Sequence, residues 1–219
     1  MAVNFGLAVL ASIVAGLILL VLASFLSAKF RWILVSILNA LVRGDIETIF
    51  PDARRAQDTL SADLSKSKRV WVFAGRGGEL SRDTFAPLFN RPANRPVELR
   101  VLLPLTEIPA NQYDWMSQRA AELNKFDPGS GDALSGQIDA NAATIAARKP
   151  HGDIQIRRYN VPHIGRVIIT DRYVYFTPYQ TDSHGKNSPV YQFRRGGAFY
   201  GNLRRFISQV WKAATPQTQ

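Results

Sequence analysis

Residues 70–78, VWVFAGRGG, decide the fold of this chain. Val70 to Ala74 run without a charge and end in Gly75-Arg76-Gly77-Gly78. A short apolar run closed by glycines reads as a buried strand entering a loop. The next such run, Val97-Glu98-Leu99-Arg100-Val101-Leu102-Leu103, closes at Pro104 and reads as a second strand. Between them, Ser81 is placed to cap a helix through Phe89. Strand, helix, strand is the opening of an α/β sheet.

Toward the C-terminus, helices are expected at 110–125 and 134–148, separated by the loop Asp127-Pro128-Gly129-Ser130-Gly131. Three strands follow, at 154–159, 166–170 and 173–177, with a further one at 189–194. Ala198 to Ala213 is amphipathic, with Tyr200, Leu203, Phe206, Ile207, Val210 and Trp211 on one stripe. The tail Thr215–Gln219 reads as frayed. Sequential strands after a strand–helix–strand unit indicate a mixed sheet flanked by helices.

Toward the N-terminus, Ile46, Ile49, Ala53, Ala56, Leu60 and Leu64 recur at helical spacing, interrupted by Pro51. Residues 30–42, FRWILVSILNALV, are apolar but too short to span a bilayer. Residues 5–28, FGLAVLASIVAGLILLVLASFLSA, carry no charge. As a helix they extend about 36 Å, enough for a hydrocarbon core of about 30 Å. A cleaved signal peptide fits poorly: no Lys or Arg precedes Lys29, and cleavage after Ala28 would put Leu26 at the −3 position. The expected organisation is therefore a transmembrane helix (1–28), a juxtamembrane segment (29–55), one α/β domain (56–214) and a tail (215–219). Lys29, Arg31 and Arg43 all follow the run, so the domain is expected in the cytoplasm and the N-terminus outside the inner membrane.

The chain has 27 basic and 17 acidic side chains, a net charge of +10. That surplus suits anionic lipid, nucleic acid or an anionic small ligand such as a nucleotide. It suits equally a basic surface beside an anionic leaflet. There is no cysteine, and His151, His163 and His184 are scattered. No helix carries a two-His pair with a carboxylate, so neither a metal nor a cofactor is expected.

Two stretches can carry chemistry. The glycines of 75–78 would let backbone N–H groups approach an anion, with Arg76 adding charge, or they make a tight turn and nothing more. In the second half, Arg157, Arg158 and Arg166 are read on neighbouring strands, followed by Tyr173, Tyr175 and Tyr179. The polar loop Thr181-Asp182-Ser183-His184-Gly185-Lys186-Asn187 comes next. Cations interleaved with aromatics suit a nucleotide, whereas alternate tyrosines on strands also suit a packed core.

The segment Pro162-His163-Ile164-Gly165-Arg166-Val167-Ile168-Ile169-Thr170-Asp171 resembles the HKD motif of the phospholipase D-like superfamily. There a strand bears HxKxxxxD. Arg166 and Asp171 keep the spacing of the motif's Lys and Asp, and the resemblance covers roughly residues 56–214. It implies a phospholipase D-like α/β domain and a phosphohistidine mechanism shared between two motifs, across a homodimer where each chain carries one. The departures are specific. The His position in register with Arg166 is Ile164; His163 lies one residue off and faces the other side of a regular strand. A bulge at Gly165 would bring His163 round. Arg replaces Lys, and Thr177-Pro178-Tyr179 stands where a small Gly-Ser turn is expected.

The expectation is thus a membrane-anchored sensor or effector that binds an anionic ligand on a catalytically degenerate domain, an architecture suited to bacterial phage defense. Its ligand residues are Arg76, Gly77, Arg158, Arg166, Thr177, Tyr179, His184 and Lys186. The alternatives are a membrane-tethered phosphodiesterase using His163, Arg166 and Asp171, and an inner-leaflet scaffold. Expected partners are membrane lipid, a nucleotide or nucleic acid, and further copies of the chain. Small residues Ala11, Ala15 and Gly16 at helical spacing favour helix association.

Overall fold

The computed structural model describes residues 12–17, 19, 44–148, 152–162, 164–179 and 185–217, without the side chains of Phe126 and Lys186. The chain divides into two compact units, Met1–Gly44 and Asp45–Gln219.

The expected membrane anchor is corrected. Among the described residues, no helix is long and apolar enough to cross a membrane. Of the run 5–28, only 12–17 and 19 are described, as helix; the rest of that run lies outside the described residues. The fold class of the described residues is a mixed α/β sheet flanked by helices. The single-pass inner-membrane localisation, which rested on that helix, is corrected with it, and the membrane-lipid partner loses that support.

The second unit is built on an eight-stranded sheet: β1 Ile46–Phe50, β2 Arg69–Phe73, β3 Val97–Pro104, β4 Gly152–Tyr159, β5 Gly165–Ile169, β6 Tyr173–Pro178, β7 Val190–Arg194 and β8 Thr215–Pro216. Their spatial order is β1-β7-β6-β5-β2-β3-β4-β8. Strands β2, β3 and β4 are parallel, and every other pairing is antiparallel. The helices are α1 Gln57–Leu64, α2 Trp115–Phe126, α3 Leu134–Ala147 and α4 Ala198–Ala213.

Alternation along the strands sorts the core into two layers. Val70, Val72, Leu99, Val101 and Leu103 are buried on one face with Leu64 of α1 and Ile138 and Ile145 of α3. Trp71 and Phe73 point to the other face, where they meet Trp211 and Phe206 of α4. Tyr159 stacks on Phe73 at 4.4 Å and on Trp115 of α2 at 5.9 Å.

Four local readings change. Residues 46–50 form a strand rather than the start of a helix, because their β-branched residues complete the edge of β7. Residues 78–89 form two 3-10 turns and one helical turn, Ala86–Phe89, in place of a helix capped by Ser81. Helix α2 starts at Trp115, where the Asp114 side chain accepts from Ser117 N–H at 3.0 Å. The tail is held: β8 pairs with β4, and Gln217 N–H donates to the Ile156 carbonyl at 3.1 Å. Arg91, 8% exposed, ends α1 by donating to the carbonyls of Leu64 and Ser67.

Candidate functional site

At the carboxyl end of β2 the sheet changes direction, since β3 runs parallel to β2 on one side and β5 runs antiparallel on the other. Ligands in open α/β sheets lodge in such crevices. A cavity of about 280 Å³ opens here, lined by Gly75, Arg76, Glu79, Arg82, Arg119, Leu123, Leu134, Arg166 and Tyr179 among others.

Each wall follows from local sequence. Gly77 takes φ +77°, which turns the chain sharply after β2. An added Cβ there would lie 2.8 Å from Leu103 Cδ2. The Arg76 carbonyl is held by Asn141 Nδ2 at 2.9 Å, so its side chain turns toward α3 and the preceding loop. Its guanidinium donates to Gln137 Oε1 at 3.2 Å and to Ser130 Oγ at 3.0 Å. Arg119 and Leu123 are one turn apart on α2 and present one face to the cavity. Arg119 pairs with Glu122 at 2.8 Å.

Arg166 enters from β5, directly across from Thr177 on β6, and donates to Thr177 Oγ1 at 3.2 Å. Glu79 Oε1 lies 3.5 Å from Arg166 Nη1, both side chains being mostly buried. Arg166 Nε is buried and has no hydrogen-bond partner among the described residues. Tyr179 follows β6; its hydroxyl accepts from Gly75 N–H at 3.2 Å.

Four guanidinium groups against one lining carboxylate make the cavity cationic. Burial, then the charge of Arg119, lowers the pKa of Arg76. Crowded cations of this kind are relieved by an anion. Burial, then the negative charge of Glu79, pushes the Tyr179 phenol up to about 12. It therefore stays protonated at neutral pH.

Of the sequence-expected residues, Arg76, Arg166 and Tyr179 meet at this cavity, with Thr177 orienting Arg166 and Gly77 shaping the loop. Arg158 is elsewhere: β2 and β3 separate its strand from β5, and it bonds to Asp139 at 2.8 Å and the Pro104 carbonyl at 3.2 Å. The expectation that Arg157, Arg158 and Arg166 sit on neighbouring strands fails for the same reason. Asp171 lies past the other end of β5, where Oδ2 accepts from the N–H groups of Lys68 at 2.5 Å and Arg69 at 3.4 Å. His163 and His184, like His151, lie outside the described residues, and so does the Lys186 side chain. Pairing of β5 with β6 is regular from Gly165 to Ile169, with no bulge, and Ile164 is 69% exposed. Sequence reasoning missed Glu79, Arg82 and Arg119. For Arg119 the usable signal was its i,i+4 spacing to Leu123.

No protein family and no curated protein sequence matches this chain. Among solved structures, it is similar to TrmBL2, described as an archaeal chromatin protein with a novel mode of DNA binding, at 11% identity and TM-score 0.45, over 96% of this chain and 70% of that one. It is similar to Nuc from Salmonella typhimurium, a phospholipase D family member, at 12% identity and TM-score 0.43, over 78% and 97%. A third likeness is to NucT from Helicobacter pylori, at 9% identity and TM-score 0.41, over 78% and 98%.

Proposed function

We propose that the cavity at the end of β2 binds the phosphate of a nucleotide or of a nucleic-acid end, on a degenerate phospholipase D-like domain. The observation that carries this reading is the set of four arginines facing one glutamate, with Arg166 Nε buried and unpartnered among the described residues. Guanidinium groups match phosphate oxygens in geometry and charge. The neutral Tyr179 ring, Leu123 and Leu134 supply a wall for the rest of the ligand.

The reading is of binding without turnover. A phosphohistidine step needs an imidazole aimed at phosphorus beside the arginine. Ile164 occupies the position in register with Arg166, and regular β5–β6 pairing supports keeping it there. A sensor role amounts to this binding event coupled to a partner.

The test is thermal shift of the 219-residue chain against mononucleotides, cyclic and linear oligonucleotides, and inorganic phosphate, with bis(p-nitrophenyl) phosphate turnover in parallel. Stabilisation without turnover, lost in Arg166→Ala, is the expected result. No stabilisation by any phosphate ligand sinks the reading. Turnover abolished by His163→Ala replaces it with a phosphodiesterase.

A further inference from the structure

A second cationic cleft lies at the opposite end of the strands. Its volume is about 210 Å³, and it is lined by Arg69, Trp71, Glu98, Arg100, Ile169, Thr170, Asp171, Arg195, Tyr200 and Arg204. Arg69 opens β2, whereas Gly75 and Arg76 of the first cavity follow its end. The two sites share no lining residue.

The charges in this cleft do not cancel. Glu98 is taken by Arg100 at 2.7 Å. Asp171 is taken by Arg69 at 3.7 Å and by two backbone N–H groups. Among the described residues the Arg195 side chain donates only to a neutral group, the Asp171 carbonyl, at 3.4 Å. The Arg204 side chain has neither a hydrogen bond nor an ion pair among the described residues. Two guanidinium charges are thus left uncompensated. Arg204, Arg195 and Arg69 line this one cleft with Tyr200, and the hydroxyl of Tyr200 lies within electrostatic range of all three and of Asp171. That hydroxyl is fixed by donation to the Thr170 carbonyl at 2.9 Å.

The floor is rigid. Arg100 is held between Trp71 at 4.7 Å and Trp211 at 5.3 Å, and its buried Nε has no hydrogen-bond partner among the described residues. A stacked, paired arginine loses little freedom when a ligand docks on it.

We propose that this cleft is a second phosphate-binding site, with Arg195 and Arg204 as the groups that hold the anion. A phosphate monoester carries a charge of about −1.5 to −2 near neutral pH, which matches the two uncompensated guanidiniums. A terminal phosphate offers that charge on one group; internal phosphates of a nucleic-acid strand, with one negative charge each, offer it on two neighbouring groups.

Equilibrium dialysis of the 219-residue chain against radiolabelled inorganic phosphate tests the site. The wild type is expected to take up two phosphates. Arg195→Ala/Arg204→Ala is expected to keep one, with affinity at the cleft down by about tenfold or more. Both side chains are exposed, so an unchanged melting temperature is expected to accompany that loss. Arg204→Glu alone, which removes no contact among the described residues, should act in the same direction. Phosphate uptake by the double variant equal to that of wild type overturns the proposal. Uptake unchanged in Arg76→Ala/Arg166→Ala but reduced in the cleft variant overturns the first site only. A 5′-phosphorylated oligothymidylate bound more tightly than its unphosphorylated form, with that difference lost in the cleft variant and kept in Arg76→Ala/Arg166→Ala, assigns the cleft to terminal phosphate. Equal binding of the two, lost in the cleft variant, assigns it to the internal backbone.

Discussion

The two ends of β5 differ in a way their sequence spacing hides. Arg166 and Asp171 read together as one motif. On the strand they are five residues apart, about 16 Å of extended chain, so no single ligand atom can touch both. Arg166 faces a cationic cavity with Glu79 and Thr177. Asp171 serves the backbone at the start of β2. Behind it, Thr170 accepts from the N–H groups of Arg172 and Tyr173 and donates to buried Asp63. At one end of the strand an arginine faces a cavity; at the other the Asp171 carboxylate is committed to the backbone, beside the second cleft. A strand therefore separates the residues of a linear motif into distinct physical tasks.

The largest expected effect attacks the cavity end through its backbone. Gly165 lets β5 and β6 approach, and a Cβ there would sit 2.5 Å from the Thr177 carbonyl oxygen. Gly165→Ala is expected to cost about 3 kcal/mol, read by chemical denaturation, because strand backbone cannot yield as a side chain can. Next, Arg166→Ala should weaken phosphate-ligand binding by about 2 kcal/mol, roughly thirtyfold, in calorimetry. Asp171→Ala should leave affinity at the Arg166 cavity unchanged and cost about 1–2 kcal/mol of stability, since two backbone donors lose their acceptor. If Asp171→Ala weakened binding as much as Arg166→Ala, the division between the two ends would be wrong.

Smaller effects sharpen the same contrast. Tyr179→Phe removes the acceptor for Gly75 N–H and should cost about 1 kcal/mol of stability, with a few-fold loss of affinity. At the folding end, burial raises the Asp63 pKa above its ordinary value, against the lowering effect of the Thr170 hydroxyl. A raised pKa means the folded state holds the proton more tightly. The stabilisation is then complete below the unfolded carboxyl pKa and is lost as pH rises through the folded one. Asp63→Asn should flatten the pH dependence of the melting temperature over that window, with no change in ligand affinity.

The strands were legible because their apolar runs are short and bounded by Gly, Pro or polar turns. Val70–Ala74 and Val97–Leu103 were read within a residue or so of β2 and β3, and the stripe of 198–213 marked α4. Residues 46–50 misled because Ile46 and Ile49 suit a helix face as well as a strand edge; only the unfilled edge of β7 decides between them. The tail misled for the same kind of reason: Thr215 and Pro216 carry no strand signal, yet β4 offers them an open edge. The uncharged run at 5–28 suggested a span by length alone. Among the described residues no helix meets the requirement.

At the site, Arg76, Arg166 and Tyr179 could be picked out because each adjoins a strand end with a glycine or an aromatic beside it. Arg119, Arg82 and Glu79 could not, because they come from a helix and a turn whose placement depends on packing. Arg158 shows the converse error. Its charge and strand were correctly read, but two strands intervene between it and Arg166.

By itself, then, the sequence determined the alternation of strands and helices, the basic character of the chain and the glycine turn after β2. Hydrophobic periodicity and turn chemistry are local properties, written within a few residues of one another. The tertiary structure alone decided the order of the strands, the direction change beside β2 and the gathering of four arginines and one glutamate along one cavity. Those depend on which strand edges pair and which faces are buried, and these are free-energy differences between whole arrangements of the chain.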